Sequence, residues 1–150
     1  MKIQHLLAFG LFLLSFYACE EENAVQITGE LQQWHKITLT LDGPSLSEDT
    51  TDNPFLDYRL EATFQNGDKS YTIPGYFAAD GNAGESSATA GNKWRVHFNP
   101  DVVGTWNYSI SFVKGKEIAI NDAIEGEALP LNGTSGSFEV IASDKTGRDF

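Results

Sequence analysis

The chain has 150 residues, with 10 lysines and arginines against 21 aspartates and glutamates, and a formal net charge of −11 at pH 7. An acidic balance of that size argues against nucleic acid and anionic membrane surfaces as partners. Cys19 is the one cysteine, so no internal disulfide can form; a chain of about 130 to 150 residues buries roughly two-thirds of its unfolded surface, enough for a core without cross-links or metals.

Lys2 gives a short positive start, and Leu6 to Tyr17 is an almost uninterrupted apolar run of 12 residues. That is too short to span a bilayer, which takes about 20, and has the length of a signal-peptide core. Ala18 and Cys19 follow, then Glu20, Glu21 and Glu22. A cysteine one residue after a small alanine, just past an apolar run, resembles a bacterial lipoprotein signal. Phe16 departs from that pattern, which usually has Leu three residues before the cysteine. The resemblance implies a signal peptide over 1–18 and lipidation of Cys19. The three glutamates resemble the acidic surface-export tag of Bacteroidota lipoproteins, implying an outer-membrane lipoprotein facing the cell surface, with no membrane contact beyond the anchor. The plainer alternative is an ordinary signal cut near Ala18. Removing residues 1–18 takes away one cation, Lys2, and leaves nine against 21 acids, a balance of −12.

Residues 19–29 are polar and acidic and read as a tether. Lys36 to Leu41 alternates strictly, with Ile37, Leu39 and Leu41 on one face, and Asp42 to Ser45 punctuates it. Tyr58 to Phe64 alternates again; Asn66-Gly67-Asp68 is a hairpin signal, because Asn-Gly tolerates positive φ. Ser70 to Ile73 is the return strand, and Ala78 to Lys93 reads as a long loop. Trp94, Val96 and Phe98 share one strand face, with Arg95 and His97 on the other. Thr105 to Phe112 turns Trp106, Tyr108, Ile110 and Phe112 inward. Lys114 to Gly133 has no clear period, and Ser137 to Ala142 is a last strand. The pattern predicts an all-β, immunoglobulin-like antiparallel β-sandwich of about seven to nine strands over 30–143. Gly104 before Trp106 suggests a corner in which an indole N–H replaces the usual tyrosine hydroxyl.

No catalytic constellation emerges. The acids lie on polar strand faces or in loops, outside any glycosidase-like context. His35 and His97 are 62 residues apart, with no cysteine in the folded region, so no zinc site is expected. Asp49, Asp52, Asn53 and Asp57 offer oxygens for calcium but read better as Asx turns. No phosphate loop is present, so no cofactor is expected. Of the aromatics, Trp34, Phe55, Tyr76 and Phe77 lie outside the inward phase. With Asp80 they are the candidate interdomain or ligand contacts. The preferred contact is Tyr76 to Gly81, an aromatic pair followed by small residues; the alternative is a bend packed into the domain's own core.

Five motifs in order carry a family resemblance: Trp34 to Thr40 with Gly43-Pro44; Asn53 to Leu60; Ile73 to Gly81; Trp94 to Phe98 with Pro100, Gly104 and Trp106; and Ser143-Asp144-Lys145 with Gly147 to Phe150. Together they resemble the domain-of-unknown-function family numbered 5060, an immunoglobulin-like sandwich placed before the catalytic (β/α)8 barrel of bacterial glycoside hydrolases. The resemblance implies a non-catalytic accessory module in polysaccharide degradation. It also implies that 144–150 begins a linker, with the catalytic barrel of the same polypeptide as partner and polysaccharide as a further candidate. The alternatives are an autonomous carbohydrate-binding module and a surface adhesin.

Overall fold

Strict alternation becomes strand wherever it was read. The computed structural model describes residues 25–147; the signal segment, Cys19 and the last three residues lie outside the described residues. In chain order the strands are β1 (Gln26–Gly29), β2 (Ile37–Ser47), β3 (Tyr58–Asn66), β4 (Lys69–Pro74), β5 (Tyr76–Phe77), β6 (Ala90–Phe98), β7 (Gly104–Lys114), β8 (Glu127–Ala128) and β9 (Ser135–Val140). A one-turn helix, Ala83–Ser86, and a 3₁₀ turn, Ile118–Ile120, sit in the connections.

Two antiparallel sheets face each other. One has the order β1-β2-β6-β5; the other is β4-β3-β7-β8, with β9 pairing the remaining length of β7. The register sets Leu39 opposite Val96 in the first sheet and Ala62 opposite Ile110 in the second. Ile37, Leu39, Leu41, Leu60, Phe64, Trp94, Trp106 and Phe112 are all buried, as their strand phase requires. Aromatic rings join the sheets. Phe64 stacks on Phe98 at 4.1 Å and 6°, and Trp94 meets Phe112 edge-on at 4.8 Å. Pairs of this kind add about 0.5–1.5 kcal/mol each beyond the area they bury.

Three boundaries differ from expectation. The tether ends early: β1 lies inside it, paired to β2 with Gln26 opposite Thr40, because Ile27 has an apolar surface to cover. The punctuation after Leu41 is a bulge between Asp42 and Leu46 rather than a strand end. The long loop shrinks to the segment before Ala90, since β6 continues back along β2 to pair Ala90 with Ser47.

Candidate functional site

The expected contact residues separate into three environments. Phe77 does not face a partner. It is buried at 5% exposure, with its ring 5.2 Å from Trp94, and Ala78 and Ala79 are buried behind it. The reading of Tyr76 to Gly81 as one contact segment is therefore corrected. Opposite Trp94 in the ladder, Phe77 takes the inward phase of a two-residue strand, and the following turn folds under the sheet. Asp80 is exposed and caps that turn: its carboxylate accepts from the Asn82 N–H at 2.7 Å and the Ser86 hydroxyl at 2.6 Å. These bonds, the Ser86 one foremost, hold its carboxyl below the usual range.

Phe55 and Tyr76 remain outside, at 51% and 42% exposure. Both line a depression of ≈ 310 Å³ whose floor includes Phe77 and Trp94 and whose wall carries Arg59, Glu61 and Asp122. Arg59 is a staple there. Its Nη1 and Nη2 donate to the carbonyls of Ile118 (3.3 Å) and Ile124 (3.4 Å), pinning the stretch whose period was unreadable. Nearby, Asn53 Oδ1 accepts from the Phe55 N–H at 2.8 Å, and the Asp57 carboxylate accepts from the N–H groups of Asn53 and Glu117. The Glu117 bond is the larger cause of a lowered Asp57 pKa. This loop is built from Asx-type turns.

Trp34 stands at the other end, 39% exposed, with a φ of 67° that is rare for a residue with a side chain. Two bonds hold its backbone: its N–H donates to Pro100 O at 2.8 Å, and Lys145 Nζ donates to its carbonyl at 2.9 Å. Trp34 lines a depression of ≈ 360 Å³ with Tyr71, His97 and Asp101. Asp101 Oδ2 accepts from Lys69 Nζ (2.9 Å) and the Tyr71 hydroxyl (2.8 Å); the Lys69 bond chiefly keeps its carboxyl below the usual range.

His97 joins the two ends. One ring nitrogen lies 2.9 Å from Tyr76 Oη and the other 2.9 Å from Thr38 Oγ1. Burial first, then the charges of Lys36 and Arg95, push its pKa below the ordinary 6.5, so the ring is neutral at pH 7. Its outward phase is readable in the alternation of β6; its partners are not, since they come from two other strands.

His35 is bridged as well. Nδ1 lies 2.6 Å from Glu30 and Nε2 lies 2.9 Å from Asp144. These three side chains could converge on a metal ion. With each carboxylate on a different ring nitrogen, the geometry seen is that of a hydrogen-bonded bridge tying the chain's exit to the start of β2.

The comparisons agree with this architecture. No curated protein matches the chain. Among solved structures it is similar to the crystal structure of a "putative glycoside hydrolase" from Bacteroides vulgatus ATCC 8482, at 28% identity and a TM-score of 0.50. The match covers 76% of this chain but 16% of that one, so the chain spans about a sixth of that protein's length. The family described as "Domain of unknown function (DUF5060)" matches residues 30–113, more than half of the sequence, and the chain belongs to that family.

Proposed function

We propose that this chain is the non-catalytic N-terminal accessory module of an exported, surface-attached glycoside hydrolase acting in polysaccharide degradation, and that it works by packing against a catalytic domain downstream in the same polypeptide. The similarity to a small fraction of a much longer protein named as a glycoside hydrolase supports a modular parent. The observation that carries the packing role is an apolar collar where the chain leaves the sandwich. Leu31, Trp34 and Ile141 are 37%, 39% and 59% exposed. Ile141 N–H donates to Leu31 O at 3.0 Å, and Gln33 N–H donates to Ile141 O at 2.9 Å. The exit segment thus lies directly against the collar, and a following domain meets it first. Exposed apolar groups gathered at one place are the ordinary mark of an interface.

The test uses the parent enzyme. Trp34→Ala combined with Ile141→Ser is expected to lower the melting temperature and the thermal half-life of the hydrolase while the fold of the module, followed by near-ultraviolet circular dichroism, stays intact. A double variant that melts and hydrolyses like the wild type overturns the packing role. Attachment is tested separately: labelling with a radioactive fatty acid is expected for the wild type and lost in Cys19→Ala.

A further inference from the structure

Three of the chain's cations, Lys36, Lys93 and Arg95, lie on or beside the outer face of the four-stranded sheet. On β6 buried positions alternate with outward ones, whereas on β2 the outward-phase Thr38 and Thr40 are buried as well. The charged groups on or beside this face are Lys36, just before β2, Asp42 on β2, Lys93 and Arg95 on β6, Asp80 after β5, and Glu30 after β1, whose carboxylate meets His35. Asp42 is ion-paired with Lys93. Among the described residues no carboxylate lies within ion-pair distance of Lys36 or Arg95. Asp80 stays ionised within electrostatic reach of Arg95, but its two oxygens accept from its own turn and form no ion pair with the guanidinium. Neither Lys36 nor Arg95 therefore has a direct ion-pair partner among the described residues, on a chain whose formal balance is −11.

An aromatic ring stands among these cations. Tyr76 is directly opposite Arg95 in the ladder, so both side chains leave the same face. The bond from Tyr76 Oη to His97, itself tied to Thr38, anchors the ring although it is 42% exposed. An anchored ring loses little rotamer freedom when something stacks on it. The apolar C–H face of a pyranose fits against such a ring, and a carboxylate or sulfate on the same sugar meets a guanidinium or ammonium in charge-assisted hydrogen bonds.

We propose that this face binds an anionic polysaccharide, with Tyr76 stacking against a sugar ring and Arg95 and Lys36 meeting its acidic groups. The proposal goes beyond packing at the exit, which the Trp34 and Ile141 variants test independently. The test is affinity electrophoresis and calorimetry of the chain from Glu20 onward. The probes are polygalacturonate and alginate for carboxylates, carrageenan for sulfates, and laminarin as a neutral control. Retardation is expected with a carboxylated or a sulfated polymer and not with laminarin; which anionic arm responds identifies the acid group. Binding is expected to fall as salt rises from about 0.05 to 0.5 M, as screening requires. Arg95→Gln, Lys36→Gln and Tyr76→Ala each weaken binding about tenfold, the usual scale for losing one charge-assisted or central contact. Tyr76→Phe, which keeps the ring, stays within about threefold, and Lys116→Gln, a cation away from this face, changes nothing. Equal retardation by laminarin, or an equal loss in Lys116→Gln, overturns the proposal. So does failure to bind any polysaccharide, which leaves the face to an acidic protein surface.

Discussion

The indole Nε1–H of Trp106 donates to the carbonyl of Val102 at 2.9 Å. Donor and acceptor flank Gly104, whose φ of 105° lets the chain turn sharply into β7. The ring is fully buried, 4.9 Å from Phe98, so the bond closes the turn and the core at once. Trp106→Phe keeps most of the ring and removes the donor, leaving a carbonyl without its partner. The expected loss is about 1–3 kcal/mol, read as a lower urea midpoint at unchanged slope. Val102→Ala keeps the backbone acceptor and is expected to cost less.

Gly43 lies against the core rings. A Cβ there would stand 2.5 Å from Trp94 Cδ1 and 2.9 Å from Phe112 Cε1. Both rings are fully buried and packed on each other, so neither can give way. Gly43→Ala is therefore expected to destabilise by about 1–3 kcal/mol, as overpacking does. Thermal unfolding measures it; an unchanged melting temperature would show that the β2 bulge absorbs the methyl group.

The neighbours Tyr76 and Phe77 are expected to behave oppositely. Phe77→Ala empties a core position touching Trp94 and costs about 3–5 kcal/mol. Tyr76→Ala removes an exposed ring and one hydrogen bond and costs about 1 kcal/mol. Equal effects in denaturant unfolding would mean that β5 does not divide its two side chains between core and surface.

His97 makes stability depend on pH. Its folded pKa is below the ordinary 6.5, so between the two values the unfolded chain binds more protons and stability rises with pH. The contribution is complete above about 6.5 and is lost as pH falls through the folded value. Melting temperature is expected to drop more between pH 7.5 and 5.5 in the wild type than in His97→Gln. Both retain His5 and His35, so the difference isolates His97 from the other imidazoles.

Local pattern carries much of this molecule. Leu39, Phe64, Trp94 and Phe112 are core because residues two apart on a strand share a face, a rule that needs no knowledge of neighbours. The Asn66-Gly67-Asp68 turn and the Trp106 corner are local for the same reason. Phe77 escaped because a strand of two residues has no period to read. Ile27 escaped because β1 is held by pairing with β2 and by packing on the core, inside a segment that otherwise looks polar.

The alternation of apolar and polar residues, with its turns, was enough to specify an antiparallel sandwich and most of its core. Which surface groups act together was beyond it. Tyr76 and His97 are 21 residues apart, and Lys36 reaches their face from the residue before β2. Only the pairing register puts Arg95 beside Tyr76. Phase along a strand is a property of the backbone, whereas neighbours across strands depend on long-range closure that no window of sequence contains.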